Sequence, residues 1–160
     1  TKQNVRSHQL LELIDFVKKH GFILYVNGAA PIGEWEGRYD HILDEDDQNY
    51  IQNLNLEHEV VKRDTFPYKG INKGCPAFRE VVYITEYGDV CPCPFLHMSA
   101  GNIFEEPLFQ IIEKGLDFKA FKIRTMVCPA CDDKDFIKNT ISRMYGKPSP
   151  MSMKELFSGE

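Results

Sequence analysis

Four cysteines fall in two groups along this chain: Cys75 and Cys93, with seventeen residues between them, and the tight pair Cys128-Pro129-Ala130-Cys131, with thirty-four residues between the groups. Gly88 divides the first pair as C-x12-G-x4-C, around a stretch that reads as a β-hairpin. A hairpin brings its two ends together, so both of its thiols are offered to one point, and the C-x-x-C pair supplies two more. Four thiolates drawn from distant segments are the ligand count of a structural zinc or of a four-iron cluster. A centre of that kind constrains the fold more than any other feature of the sequence.

The rest of the composition narrows the setting. A chain of 160 residues suffices for one domain or for two small units sharing an interface, and a hydrophobic fraction of 42% is enough to bury a core. The net charge of −5, from 19 basic and 24 acidic residues, argues against a general nucleic-acid surface, because no cationic excess is available to neutralise phosphates. Apolar runs are too short for a membrane span, and Thr1 to Ser7 are polar rather than signal-like. The fifth cysteine, Cys91, makes the total odd. With no export signal in view, a disulfide framework is a poor explanation, and the expected setting is the reducing cytoplasm, with a metal holding the cysteines together.

Local patterns predict an α/β layer followed by an α+β unit. Leu10, Leu13, Ile14 and Val17 have helical spacing over Gln9–His20, and Gly21 supplies the stop. The apolar run Phe22 to Val26 reads as a strand buried on both faces, as in a parallel layer. The loop Gly28 to Gly33 then lies at the strand's C-terminal end, where ligand sites of parallel α/β folds gather. Asp44 to Asp47 open a second helix with Tyr50, Ile51 and Leu54 as its apolar positions. These units are too few to complete a barrel or sheet, so residues 1–66 read as the last portion of a larger α/β domain.

The character changes at Pro67–Gly74, a loop rich in Gly, Pro and Lys. Beyond it, Glu80–Thr85 and Val90–Cys93 are β-prone around the turn Glu86 to Asp89. Short helices are expected over Pro107–Gly115, with Leu108, Ile111 and Ile112 inward, and over Phe118–Ile123. A last solid helix runs through Phe136, Ile137, Thr140, Ile141 and Met144. Gly146 to Pro150 break that helix, and the tail 147–160 is expected to be loosely held.

The C-x-x-C pair alone serves zinc, iron-sulfur clusters and redox disulfides alike. No thioredoxin-like pattern surrounds it, which disfavours redox use. Zinc ribbons favour two close knuckles, whereas here one pair is spread across a whole hairpin, which suits a bulkier cluster slightly better. Buried free thiols acting as small hydrophobes are the plain alternative.

Four stretches together resemble a known family: Gly74-Cys75-Pro76-Ala77; Tyr83 through Phe95, including Gly88-Asp89-Val90 and Cys93; Gly101-Asn102-Ile103; and Cys128 to Cys131. In this order they are similar to the auxiliary-cluster domain of radical S-adenosylmethionine (SAM) enzymes, called SPASM and, in its shorter form, Twitch. The resemblance spans about residues 74–133. It implies that Cys75, Cys93, Cys128 and Cys131 bind an auxiliary 4Fe-4S cluster, with Cys91 a less favoured substitute at a variable position. It also implies that residues 1–66 are the C-terminal portion of a partial (β/α)6 radical SAM barrel, residues 67–146 a Twitch- or SPASM-like domain of a β-hairpin plus helices, and 147–160 a tail.

Two departures qualify the resemblance. No cysteine follows Cys131, which matches the single-cluster Twitch form. The motif C-x3-C-x2-C, which in the family holds the cluster that cleaves SAM, does not occur in the sequence. The chain alone is therefore not expected to generate a radical. S-adenosylmethionine and a second 4Fe-4S cluster belong to an N-terminal barrel portion, the expected partner, in the same parent chain or separate. The family implies a peptide or small-molecule substrate, oxidoreductase or maturase chemistry and electron transfer, with neither nucleic acid nor membrane as partner. A structural zinc module without redox chemistry remains the alternative.

Remaining candidates are weaker. His97 could replace a ligand, although a lone loop histidine is more often ordinary surface or a hydrogen-bonded core group. Glu34/Glu36 and Asp46/Asp47 are carboxylate pairs better read as a solvated face and a helix start. Trp35 could line a pocket or simply pack. Catalytic residues are not assignable from the sequence.

Overall fold

The computed structural model of the chain describes residues 1–63, 65 and 74–158. Apart from Gly74, the Pro67–Gly74 loop lies outside them, as does the boundary expected after residue 66. The described residues form a mixed α/β structure of six α-helices and three two-stranded sheets, with no closed barrel.

Helix α1 spans His8–His20 and ends as its sequence predicts: Gly21 turns left-handed at φ 71°, and the Phe22 N–H closes on the Val17 carbonyl at 2.9 Å. Helix α2, Glu45–Glu57, begins with a reciprocal capping box between Asp44 and Asp47. Lys2, 2.6 Å away, and the Asp47 N–H hold the Asp44 carboxyl down at about 2. Between the helices, β1 (Leu24–Tyr25) pairs in parallel with β2 (Val61–Lys62), Leu24 opposite Val61. Helix α2 is thus the crossover of a β–α–β unit.

Both helices pack on one face of this pair. Ile14, Leu54 and Val61 are buried there with Leu24 and Val26 against them. Residues of the other parity point away, and Ile23 and Tyr25 are each 61% exposed. The reading of Phe22–Val26 as a strand buried on both faces is corrected: one face is covered, and β1 has a partner on one edge only among the described residues.

The second half is built round a hairpin. Strand β3 (Tyr83–Ile84) pairs antiparallel with β4 (Val90–Cys91), and the β4 backbone continues to Ala100 and Gly101. Then follow β5 (Met98–Ser99), α3 (Leu108–Asp117), α4 (Lys119–Lys122) and α5 (Lys134–Asn139). Pro107 caps α3 from outside, and Leu108 is half-exposed rather than inward, leaving Ile111 as the buried anchor. Gly115 of α3 admits the Phe78 ring, whose Cζ lies 2.6 Å from where a Cβ would stand. The single helix expected through Met144 is divided at Thr140, with a 3₁₀ turn over Ile141–Met144.

The tail is the main correction. Instead of hanging loosely, Met151–Ser152 forms β6, parallel to β5, and α6 (Met153–Leu156) follows at once. Met153 and Leu156 are fully buried with Met98, Ile111, Ile137 and Ile141. Strands of two residues close little core by themselves, and the tail's apolar side chains complete it. No helix among the described residues is long and apolar enough to cross a membrane.

Truncating Leu156 to Ala should therefore cost about 2–5 kcal/mol of stability, as for a core leucine. The same change at the exposed Lys154 should leave the urea midpoint close to that of the parent chain. Equal midpoints for the two variants would show the tail to be dispensable.

Candidate metal centre

Each thiol of the site is set by a local turn. Gly74, at φ 62°, delivers Cys75, whose N–H bonds the Thr125 carbonyl at 2.7 Å and so joins the start of the hairpin to the segment before the C-x-x-C. Cys93 follows the end of β4 and is bridged to Leu96. Cys128 and Cys131 form a tight turn in which the Cys131 and Asp132 N–H groups return to the Cys128 carbonyl at 3.2 and 2.8 Å. Backbone N–H groups two residues on are aimed at three of the sulfurs: Ala77 at Cys75, Phe95 at Cys93 and Ala130 at Cys128.

These turns converge. Cys75, Cys93, Cys128 and Cys131 all line one cavity of about 260 Å³, whose other walls include Pro76, Ala77, Val81, Pro94 and Phe95. Asn27 and Gly28, just beyond β1, and Arg63 and Thr65, just beyond β2, close it from the other side. The cavity therefore sits at the C-terminal ends of the two parallel strands, where α/β layers place ligands.

Burial pushes the Cys75 thiol up, and pushes Cys93 up to about 12. The Cys131 thiol has the Cys128 sulfur and the Gly28 carbonyl, 3.1 Å away, within reach. Sharing its proton with Cys128 raises Cys131 and lowers Cys128. Buried thiols of this kind ionise when a cationic centre binds, releasing protons. The donor set fits such a centre: four sulfurs on one cavity, with N–H donors placed to stabilise thiolates.

The glycine and asparagine of the sequence pattern brace the hairpin. Gly88 turns at φ 87°, and a Cβ there would stand 2.6 Å from the Phe104 ring and 2.7 Å from Asn102 Oδ1. Asn102 donates to the Tyr87 carbonyl at 2.9 Å and accepts the Phe104 N–H at 2.9 Å, while the Ile103 N–H bonds Gly88 O. Gly101-Asn102-Ile103 is thus a clasp on the turn between Cys75 and Cys93.

Residues 75–133 match the SPASM family, an iron-sulfur cluster-binding domain. All four cavity cysteines lie inside the matched SPASM segment. Searches of curated proteins and of solved structures returned no match.

The other candidates are placed elsewhere. Cys91 and Cys93, two apart, do not share a face as strand periodicity predicts, because β4 ends at Cys91 and Pro92 turns the chain. Cys91 lines a separate cavity of about 380 Å³ with His97, Tyr83 and Tyr87, and burial there raises its thiol to about 12. The His97 ring bonds the Pro94 carbonyl at 3.0 Å. Trp35 packs on His41, ring centroids 4.5 Å apart, with Arg38 over its face. Asp47 is buried against Arg6 at 3.0 Å, while Glu34, Glu36 and Asp46 face solvent.

Sequence reasoning missed the polar residues behind the C-x-x-C turn. Arg63 Nη2 reaches both Asp132 oxygens at 2.8 and 2.7 Å, and the two side chains are 4% and 2% exposed. Asp132 directly follows Cys131, an unusual place for a buried charge, and that adjacency is the only local hint. Arg63, 69 positions away, has none.

Gly88→Ala should destabilise the chain by about 1–3 kcal/mol, because the left-handed turn and the Phe104 contact both oppose a Cβ. A urea midpoint unchanged from the parent would remove the clasp from the argument.

Proposed function

We propose that this chain is the C-terminal portion of a radical S-adenosylmethionine enzyme, and that its SPASM segment holds one auxiliary 4Fe-4S cluster in the manner of the Twitch form. The convergence of Cys75, Cys93, Cys128 and Cys131 on one cavity carries the reading. When bound, the cluster supplies one-electron chemistry, to or from a substrate radical. Four protein thiolates leave no iron open, so the chain's part is to hold, desolvate and tune rather than to bind substrate through the metal. Ala77, Phe95 and Ala130 supply N–H groups to three sulfurs, and hydrogen bonds to sulfur are a principal lever on potential. Pro76, Val81 and Phe95 make that wall apolar.

A single zinc is the alternative occupant of the same four thiols. Zn–S bonds of 2.3 Å in a tetrahedron require sulfurs about 4 Å apart, whereas a pair spread across a whole hairpin, Cys75 and Cys93, suits a bulkier cluster. The match of residues 75–133 to an iron-sulfur cluster-binding domain supports the cluster over zinc.

In this reading residues 1–66 are the last helix–strand units of a partial (β/α)6 barrel. Support comes from the parallel β1–β2 pair, the edge of β1 that has no partner among the described residues, and the exposed Ile23 and Tyr25 on the face that the helices leave uncovered. Preceding strands and helices, in the same parent chain or in a separate one, would cover that face and bring the SAM-cleaving site. The substrate, a peptide or a small molecule, would then meet the cluster near Asn27 and Thr65, at the strand ends.

Chain prepared without oxygen and reconstituted with iron and sulfide is expected to hold about four of each, with a visible charge-transfer band. Cys→Ser at positions 75, 93, 128 or 131 should each lower the iron content, whereas Cys91→Ala should not. One zinc per chain and no sulfide would replace the cluster with a structural metal.

A further inference from the structure

The C-x-x-C turn is gripped from three points of the α/β unit, none belonging to the SPASM segment. Arg63, immediately after β2, holds the Asp132 carboxylate through Nη2 at 2.7 and 2.8 Å. The same carboxylate accepts the Cys128 N–H at 3.2 Å, so the ion pair ends on the backbone of a candidate ligand. Gln48 of α2 donates to the Asp132 carbonyl at 3.2 Å and also reaches Leu43 O at 3.4 Å. Gly28 lies so close that a Cβ there would stand 2.9 Å from Cys131 Cβ and 3.2 Å from Arg63 Nη2.

Packing alone does not require this arrangement. A buried ion pair is seldom more stabilising than apolar residues of the same volume, because both charges lose their hydration. What it adds is direction: an arginine and a carboxylate meet in few geometries, and here one of the few fixes the Cys128 backbone.

We infer that Arg63 and Asp132 are positioning residues for the C-x-x-C half of the cluster site, through which the α/β unit sets how the SPASM segment holds its cluster. This rests on the cluster reading above. Outer partners that orient metal ligands are worth about 10–100-fold in metal affinity, so their loss reads out in the metal before it reads out in the fold. The end of β2 lies beside the cavity and delivers Arg63 to the turn.

Arg63→Met alone strands a buried carboxylate and is prone to unfold. The deciding variant is the full chain carrying Arg63→Met with Asp132→Asn, which removes both charges and keeps an acceptor for the Cys128 N–H. Three quantities are compared with the parent: melting of the metal-free chain, iron release to a chelator after anaerobic reconstitution, and the electron paramagnetic resonance spectrum of the reduced cluster. The expected result is a metal-free melt like the parent's, iron release about ten-fold faster or more, and an altered spectrum. Release and spectrum identical to the parent's would overturn the inference. So would a metal-free chain that loses its fold along with its cluster, since the pair would then be an ordinary structural contact. Should the parent assemble no cluster and take zinc instead, the cluster reading fails by itself. Zinc release by the same chelator then decides the positioning role on its own.

Discussion

Four thiols that fold into one small cavity are a polar problem placed inside a protein, and the surrounding structure is arranged about it. Burial drives Cys75 and Cys93 towards the neutral thiol, yet the backbone aims N–H groups at sulfurs as if they were anions. These opposing tendencies are reconciled when a cationic centre occupies the cavity, because thiolates bound to metal need no other counter-charge. The hairpin, its Asn102 clasp and the C-x-x-C turn are each ways of delivering a sulfur to that point at a set angle. Among the described residues none of the sheets exceeds two residues per strand, so little regular β-structure is available to do the same work.

The cavity also joins the two kinds of structure in the chain. One wall is the segment that matches the SPASM family model. The other is the C-terminal edge of a parallel β–α–β unit, with Gly28 pressed on Cys131 and Arg63 paired with Asp132. Removing one member of a buried pair typically costs about 3–5 kcal/mol because the other charge is left stranded, so Arg63 and Asp132 act as one unit. In the function proposed above, a cluster at the strand ends would stand where a substrate held by an α/β layer is presented. Ile23 and Tyr25, exposed on the side of the strand pair that the helices leave open, are consistent with further layers packing there.

Much of the element order was legible from local chemistry. Gly21 ends α1 because only a left-handed residue closes that helix, and Asp44 with Asp47 opens α2 because carboxylates satisfy its free N–H groups. Residue-level readings failed where tertiary contacts decide. Periodicity put Cys91 on the same face as Cys93, but the strand stops between them at Pro92. Hydrophobicity put Phe22–Val26 inside, but burial depends on what covers a strand and not on the strand alone. The polar, proline-broken tail read as loose, although Met153 and Leu156 lie in the core, because two apolar residues three apart are too short a signal to stand out.

Spacing in the chain is enough to nominate four thiols for one centre, since C-x12-G-x4-C and C-x-x-C encode turn geometry that is local and transferable. The folded chain alone reveals the company those thiols keep. Arg63 and Asp132 are far apart in sequence and close in space, and an ion pair leaves no periodicity for a reader to detect. Which cysteines face one cavity, and which charge steadies them, follows from long-range packing, whose energy depends on every element being in place at once.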